Sequence, residues 1–505
     1  MVSIGATLRW TARRVPDREA LVFGATRYTY AALDAAVDRL AGVLAGHGVG
    51  KGDRFALMAT NSDRFVIAFY AAHRLGAVFV PINPASTGAE LGYLLRDSGA
   101  SVLVFDPAVA PAVRKALEQG STPRVFALDA VEGFPDVFAQ AAAYTGDPVE
   151  ADVLESDDSQ ILYTSGTTGL PKGALFDQHR TLWTANTCVS SCGMADGDRF
   201  LHVAPLYHAA ELCIMLISGT MIGATHIVER GFDPVRVLDT LERERITMFF
   251  GVPTMYQFLL RQPDFTTRDL SALRTALFGA APMPGTAVEQ LLTALPTVNL
   301  MQLCGQTEAG PGGIFSNRDQ VRARPDASGR QALGMTQVRI VDVDGTDVAP
   351  GEVGEMLLRG VTLMKGYWNK PEATAETLRD GWLHTGDLVR LDPDGYMTLV
   401  DRLKDMIITG GRNVYSVEVE NAVIAHPSVL DCAVIAQPHP EYGESIAVFA
   451  VLEAGSDLAL EELREFCREH ISAYKLPHTL VVTDLIPRNP SGKTLKHVLR
   501  EQLSA

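Results

Sequence analysis

The sequence predicts an α/β protein: a large N-terminal domain of doubly wound sheets, then a β-rich subdomain, then a small C-terminal α+β domain. Three observations carry this. Short apolar, β-branched runs recur at Phe55 to Ala59, Ala77 to Ile82, Ser101 to Phe105, Arg124 to Leu128, Gln160 to Thr164 and Arg199 to Ala204. They alternate with segments of helical spacing, such as Thr29 to His47 with Leu33, Val37, Leu40 and Leu44 on one face. Such alternation predicts largely parallel sheets covered by helices on both faces. After Gly345 the texture changes to Gly-rich turns with short strands, at Glu355 to Arg359 and Tyr396 to Val400. In the last stretch, Ser416 to Ala425 and Leu460 to His470 read as helices, and Val429 to Ala436 and Ser445 to Leu452 as strands. The boundary is placed at 401/402, giving domains 1–401 and 402–505.

Size supports more than one domain, because 505 residues at 47% hydrophobic exceed what a single core holds. A formal charge of −16 argues against a general nucleic-acid surface, so any phosphate site must be local. The six cysteines (Cys188, Cys192, Cys213, Cys304, Cys432, Cys467) lack the spacing of a zinc site or the density of a disulfide scaffold. They read as reduced thiols of a cytoplasmic protein. The first twenty residues carry Arg9, Arg13, Arg14 and Arg18 without an apolar block, unlike a secretory signal. The longest uncharged stretch, Leu212 to Val228, is broken by glycines and polar residues, which suits a buried helix and strand better than a membrane span.

The segment Tyr163-Thr-Ser-Gly-Thr-Thr-Gly-Leu-Pro-Lys-Gly173 follows an apolar run and packs hydroxyls, glycines and one lysine into eleven residues. Glycines let backbone N–H groups approach phosphate oxygens, and hydroxyls and an ammonium add donors. Thr164, Ser165, Gly166, Thr167, Thr168 and Lys172 are therefore candidate polyphosphate contacts. The segment is not a Walker A loop, since Pro171 stands where that motif needs glycine.

This segment resembles the phosphate-binding signature of the acyl-adenylate-forming superfamily, and the likeness continues in order along the chain. Leu277-Phe-Gly-Ala-Ala-Pro-Met283 is similar to the adenine-contacting turn, and Cys304-Gly-Gln-Thr-Glu308 to the aromatic-Gly-x-Thr-Glu motif. Gly351-Glu-Val-Gly-Glu355, Trp382-Leu-His-Thr-Gly-Asp387, Asp401-Arg-Leu-Lys-Asp405 and Pro487-Arg-Asn-Pro-Ser-Gly-Lys493 complete seven ordered matches. The resemblance implies an ATP-dependent, AMP-forming ligase. A carboxylic acid and ATP would give an acyl-adenylate and pyrophosphate, then coenzyme A would take the acyl group and release AMP.

It further implies that Glu308 and Thr168 bind Mg²⁺, and that Gly279, Ala280, Ala281, Cys304, Gly305 and Thr307 contact the nucleotide. Asp387 and Arg402 would meet the ribose hydroxyls. Lys493 would stabilise the approach of carboxylate to triphosphate, because an ammonium between two anions favours the transition state. In the superfamily the C-terminal domain is mobile and pivots at the position of Lys404, and the glycines at Gly410 and Gly411 admit the pantetheine arm.

Two positions depart from the family pattern. Cys304 replaces an aromatic, so the adenine would lose one stacking face. Ser416 replaces a proline at a helix start, where serine is a good N-cap. His208, in Ala204-Pro-Leu-Tyr-His-Ala-Ala-Glu-Leu212, stands where related acyl-CoA ligases carry a histidine near the acyl entrance, and no aspartate occupies that place to capture an α-amine. Ala209, Ala210, Ile214, Phe250, Gly251, Gly279, Leu303 and Pro311 would line an apolar pocket for a medium or long aliphatic or an aryl tail. The Glu308 to Gly351 interval leaves no room for the insertion of ligases that serve carrier proteins. A carrier-protein thiol, an amine, a non-carboxylate oxyanion and a homodimeric state stay open, as does an idle nucleotide-binding protein of the same fold. Intact Lys493, Glu308 and Asp387 speak against the last.

Overall fold

The strand runs are apolar at nearly every position because both faces of each sheet are covered, so successive residues serve different cores. In the strands Met248–Gly251, Thr275–Gly279 and Asn299–Gly305, Phe249, Ala276, Phe278 and Leu300 pack into one cluster. Their neighbours Met248, Phe250, Leu277, Met301 and Leu303 pack into another.

The computed structural model describes residues 2–164, 170–281, 283–488 and 494–504. The chain forms two units, Met1–Val338 with Leu358–His384, and Arg339–Leu357 with Thr385–Ala505. The first contains two large sheets. A nine-stranded sheet runs in the order Gln331–Ala332, Gly313–Ser316, Asn299–Gly305, Thr275–Gly279, Met248–Gly251, Arg199–His202, Thr225–Val228, Glu19–Phe23, Thr26–Thr29. It is parallel from Asn299–Gly305 through Glu19–Phe23 and antiparallel at both edges.

A seven-stranded sheet runs Gly366–Tyr367, Lys172–Asp177, Asp158–Thr164, Val78–Ile82, Arg54–Met58, Val102–Phe105, Arg124–Ala127. Its first two pairings are antiparallel and the rest parallel. The expected strands are therefore present, as is the helix of the second segment, Tyr30–Gly46, capped by the Thr29 hydroxyl. The Leu212 to Val228 stretch forms a π-helix at Ala210–Ile217, a short α-helix at Ser218–Ile222 and a strand at Thr225–Val228. Among the described residues no helix is long and apolar enough to cross a membrane.

The second unit holds a five-stranded sheet in which Val429–His439 and Gly443–Leu452 form a long hairpin. Cys432, Val434, Ile446 and Val448 face one core, and Ala433, Ile435, Ala447 and Phe449 the other. Ser416 corrects one expectation. It is the first residue of the helix Ser416–Ile424, and Tyr415 is the N-cap without a side-chain bond. The Ser416 amide and hydroxyl instead donate to the carboxylate of Asp401, which caps the helix from a distance.

His73 is fully buried with its ring edge-on to Phe69 at 4.5 Å between centroids. Neither ring nitrogen has a hydrogen-bond partner among the described residues. Burial pushes its pKa down to about 3 from 6.5. The unfolded chain thus takes up a proton that the native state refuses, and stability is lost as pH falls from about 6.5 toward 3. Urea unfolding at a series of pH values should show His73→Phe removing up to about 1.4 kcal/mol per pH unit of this acid sensitivity.

Candidate functional site

In parallel sheets, polar loops collect at the carboxyl ends of strands, where the backbone leaves the apolar layers. Here the strands Thr275–Gly279 and Asn299–Gly305 end in the two motifs singled out in the sequence. Gly279 pairs with Leu303, and a Cβ at Gly279 would lie 2.2 Å from the Leu303 carbonyl oxygen, so only glycine fits that approach. The next residue, Ala280, is exposed and holds a left-handed φ of 68°. That conformation costs an L-residue roughly 1–2 kcal/mol, the kind of local strain that gathers at binding turns. Ala281 is exposed beside it.

Gly305 lies directly across the antiparallel ladder from Gly313. Cys304, partly exposed, pairs with Ile314. A 3₁₀ turn, Thr307–Ala309, then brings Glu308 inward until it is 8% exposed. Its Oε1 accepts hydrogen bonds from the Thr164 hydroxyl and the Tyr367 hydroxyl, each at 3.0 Å. Thr164 pairs with Lys172 across the antiparallel ladder. The Lys172 ammonium lies 5.2 Å from the centre of the Tyr367 ring.

The structure therefore brings Thr164, Lys172 and Glu308 together, and Tyr367 is the residue that joins them. Sequence reasoning missed it; the only signal was an aromatic in Lys365-Gly-Tyr-Trp, a two-residue strand that pairs with Lys172–Asp177. Ser165, Gly166, Thr167, Thr168 and Lys493 lie outside the described residues.

His208 sits on the turn after the Arg199–His202 strand. Asn61, 3% exposed, holds this turn by donating to the Ala204 carbonyl and accepting from the Leu206 amide, each at 2.8 Å. The His208 ring packs on Tyr207 at 4.6 Å between centroids, and its Nε2 has no partner among the described residues. Burial pushes its pKa down to about 4, so the imidazole is neutral. Ile214, Phe250 and Leu303 fall in one apolar cluster, with Ala210 packed against it.

Below this turn runs a buried polar chain that the sequence did not reveal. Glu211 Oε1 lies 2.6 Å from His202 Nδ1, His202 Nε2 lies 2.9 Å from His226 Nδ1, and His226 Nε2 lies 3.1 Å from the Thr220 hydroxyl. Tyr70 donates to the same hydroxyl at 2.7 Å. Burial pushes the Glu211 carboxyl well up and both imidazoles down. The chain is thus neutral: Glu211 donates to His202, His202 to His226, and His226 to Thr220. It ties the π-helix that follows His208 to two parallel strands without a buried charge.

In the second unit, Asp387 and Arg402 face each other across the hairpin of Trp382–Leu391 and Met397–Arg402. The Arg402 Nε lies 2.8 Å from Asp387 Oδ1, and Asp387 is 4% exposed. Lys404 is exposed just beyond. Gly410 and Gly411 have φ of 55° and 75° and form the tight turn of a hairpin pairing Thr409 with Arg412, which non-glycine residues would strain.

A profile of the AMP-binding enzyme family matches residues 8–368, and a profile of the AMP-binding enzyme C-terminal domain matches 418–493. The chain is 40% identical over 498 residues to a feruloyl-CoA synthase of Amycolatopsis sp, covering 98% of each chain. It is 35% identical over 508 residues to a long-chain-fatty-acid–CoA ligase of Mycobacterium tuberculosis, covering 100% of this chain and 99% of that one. The structure of the amide bond synthetase McbA from Marinactinospora thermotolerans superposes with a TM-score of 0.87 at 30% identity, covering 99% of each chain.

Two outcomes follow from this geometry. Tyr367→Phe removes one of two donors to Glu308 and should slow acid-dependent ATP–pyrophosphate exchange about tenfold, with the melting temperature nearly unchanged. Glu211→Gln keeps a donor toward His202 and should melt close to wild type, whereas Glu211→Leu leaves a buried imidazole nitrogen orphaned and should lose about 1–3 kcal/mol in urea unfolding.

Proposed function

We propose, from the premise that this chain belongs to the AMP-binding enzyme family and is an AMP-forming acyl-CoA ligase, that its substrate is a carboxylic acid with an uncharged aryl or medium-to-long aliphatic tail. The observation that carries this reading is the joining of Thr164, Glu308 and Tyr367 at the strand ends, beside a cluster containing Ile214, Phe250 and Leu303. A neutral His208 adds no charge near that apolar surface. The names of two relatives, a feruloyl-CoA synthase and a long-chain-fatty-acid–CoA ligase, support the same two substrate classes.

In the first half-reaction, a carboxylate oxygen of the acid attacks the α-phosphorus of ATP and pyrophosphate leaves. Thr164, Lys172 and the segment 165–168 are assigned to the polyphosphate, and Gly279, Ala280, Ala281, Cys304, Gly305 and Thr307 to the nucleoside. Asp387 and Arg402 are assigned to the ribose hydroxyls, as acceptor and donor. Mg²⁺ commonly binds through one or two carboxylates together with phosphate and water oxygens. Glu308, turned inward after the strand Asn299–Gly305, offers such a carboxylate. A cation bound with ATP would be held by Glu308 with Thr168 and would screen phosphate charge.

Lys493 is assigned the charge stabilisation of this step. In the second half-reaction the thiol sulfur of coenzyme A attacks the acyl carbonyl and AMP leaves, with Lys404 as the pivot and Gly410–Gly411 beside the pantetheine. The reading places the enzyme in the cytoplasm, in keeping with free cysteines of which five are buried. Similarity to an amide bond synthetase supports an amine acceptor as the second reading.

The test uses a panel of aryl, fatty and short-chain acids with ATP, Mg²⁺ and either coenzyme A or an amine, read by mass spectrometry. Thioesters of apolar acids are expected; products confined to amides would replace this reading with the second. Lys493→Ala should lose acid-dependent pyrophosphate exchange by on the order of 10²–10³, yet still convert a supplied acyl-adenylate to thioester. Equal loss of both steps would refute the assignment of Lys493.

A further inference from the structure

The candidate phosphate segment begins after Tyr163 and closes at Pro171 and Lys172, and something must fix both ends. The helix Gly88–Ser98 supplies a rigid platform. Thr87 and Glu90 form a capping box at its start, and Gly99 ends it with a φ of 64°. Tyr93 and Asp97, four residues apart, share one face of this helix.

Asp97 has a side chain only 9% exposed and gathers three donors. The Tyr163 hydroxyl donates to Oδ2 at 2.8 Å, the Lys370 ammonium to Oδ1 at 2.8 Å, and the Tyr93 hydroxyl reaches Oδ1 at 3.3 Å. The single Tyr93 proton also points to the Pro171 carbonyl oxygen at 2.9 Å, the shorter of its two contacts. Each donor leads to a different part of the site. Tyr163 precedes Thr164 on its strand, and its ring lies against Gly173, its partner across the ladder. Pro171 precedes Lys172. Lys370 closes the turn after Tyr367, its amide bonding the Tyr367 carbonyl at 3.1 Å.

We propose that Asp97 is a positioning residue for nucleotide binding: one buried carboxylate, with Tyr93, holds both ends of the phosphate segment and the Tyr367 turn in a fixed relation. Ordering Tyr163, Pro171 and the Tyr367 turn only when polyphosphate binds would carry an entropic cost that weakens ATP affinity. The clamp orders the ends beforehand. It touches no reacting atom, so its effect falls on the nucleotide and spares the acid.

The inference rests on the reading of 164–172 as the polyphosphate segment. Pyrophosphate exchange by the wild-type enzyme, and its loss in Lys493→Ala, test that reading without involving Asp97. The clamp is tested by measuring the exchange KM for ATP at saturating acid and the KM for acid at saturating ATP. Asp97→Asn should raise the KM for ATP about tenfold while the KM for acid stays within about twofold. Tyr163→Phe should move the KM for ATP the same way by less. Asp158→Asn breaks the Lys365–Asp158 ion pair (2.5 Å) on the same sheet, away from these ends, and should leave both constants unchanged.

Should Asp97→Asn fail to fold, Tyr93→Phe carries the test, since it keeps the Asp97–Lys370 pair and loses only the bond to Pro171 and the weak contact. It should raise the KM for ATP several-fold without altering that for acid. An unchanged KM for ATP in a folded Asp97→Asn or Tyr93→Phe enzyme, or a parallel rise of both constants, overturns the proposal.

Discussion

The pair of hydrogen bonds accepted by Glu308 Oε1 is the tie on which the candidate site depends. It joins three segments distant in sequence: the end of a strand in the seven-stranded sheet, the turn after a strand in the nine-stranded sheet, and the short Gly366–Tyr367 strand. Each sheet is a separate hydrophobic construction with its own core clusters, and apolar packing alone is indifferent to small sliding between layers. A carboxylate that accepts two directed bonds is not. It specifies where one sheet's strand ends stand relative to the other's, and charge-assisted bonds of this kind are about twice as strong as neutral ones.

Much of this architecture was readable because the signals were local. A run such as Val102–Phe105 is apolar at every position because both faces are covered, and it is bounded by Gly99 and Pro107, which break strands. Helix starts such as Thr29 and Thr87 carry their own capping side chains. The Ser416 helix shows where locality fails. Its cap is Asp401, fifteen residues upstream, and no sequence window contains that relation. Long-range partners are set by tertiary packing, which pattern reading does not reach.

The candidate site divides in the same way. Thr164 and Lys172 stand in a contiguous motif whose residue types already suggest anion binding, and Gly279 and Glu308 in motifs that the family resemblance names, so they could be named from the sequence. Tyr367, Asp97 and the chain from Glu211 to Tyr70 could not. A tyrosine in a two-residue strand, an aspartate late in a helix and a histidine in an apolar strand each look ordinary alone. Only the fold gives them partners. His202 and His226 meet because their strands are adjacent and parallel, with Val228 in register with His202.

The polar groups outside the motifs follow two electrostatic rules, matched to the chemistry proposed beside them. Toward the apolar cluster, Glu211, His202 and His226 are buried at no more than 1% exposure and uncharged, because an isolated charge there would cost more in lost hydration than its hydrogen bonds return. Toward the phosphate segment, Asp97 is paired with Lys370, and this pairing raises the lysine's affinity for its proton. A neutral network suits a region that should accept an uncharged tail without imposing a field. A paired one suits a region that must receive a polyanion. Asp97 would repel phosphate if exposed alone, but its oxygens are committed to Tyr163, Lys370 and Tyr93, so its charge acts through the groups it holds. The same carboxylate chemistry therefore anchors one side of the site and, protonated, disappears electrically on the other.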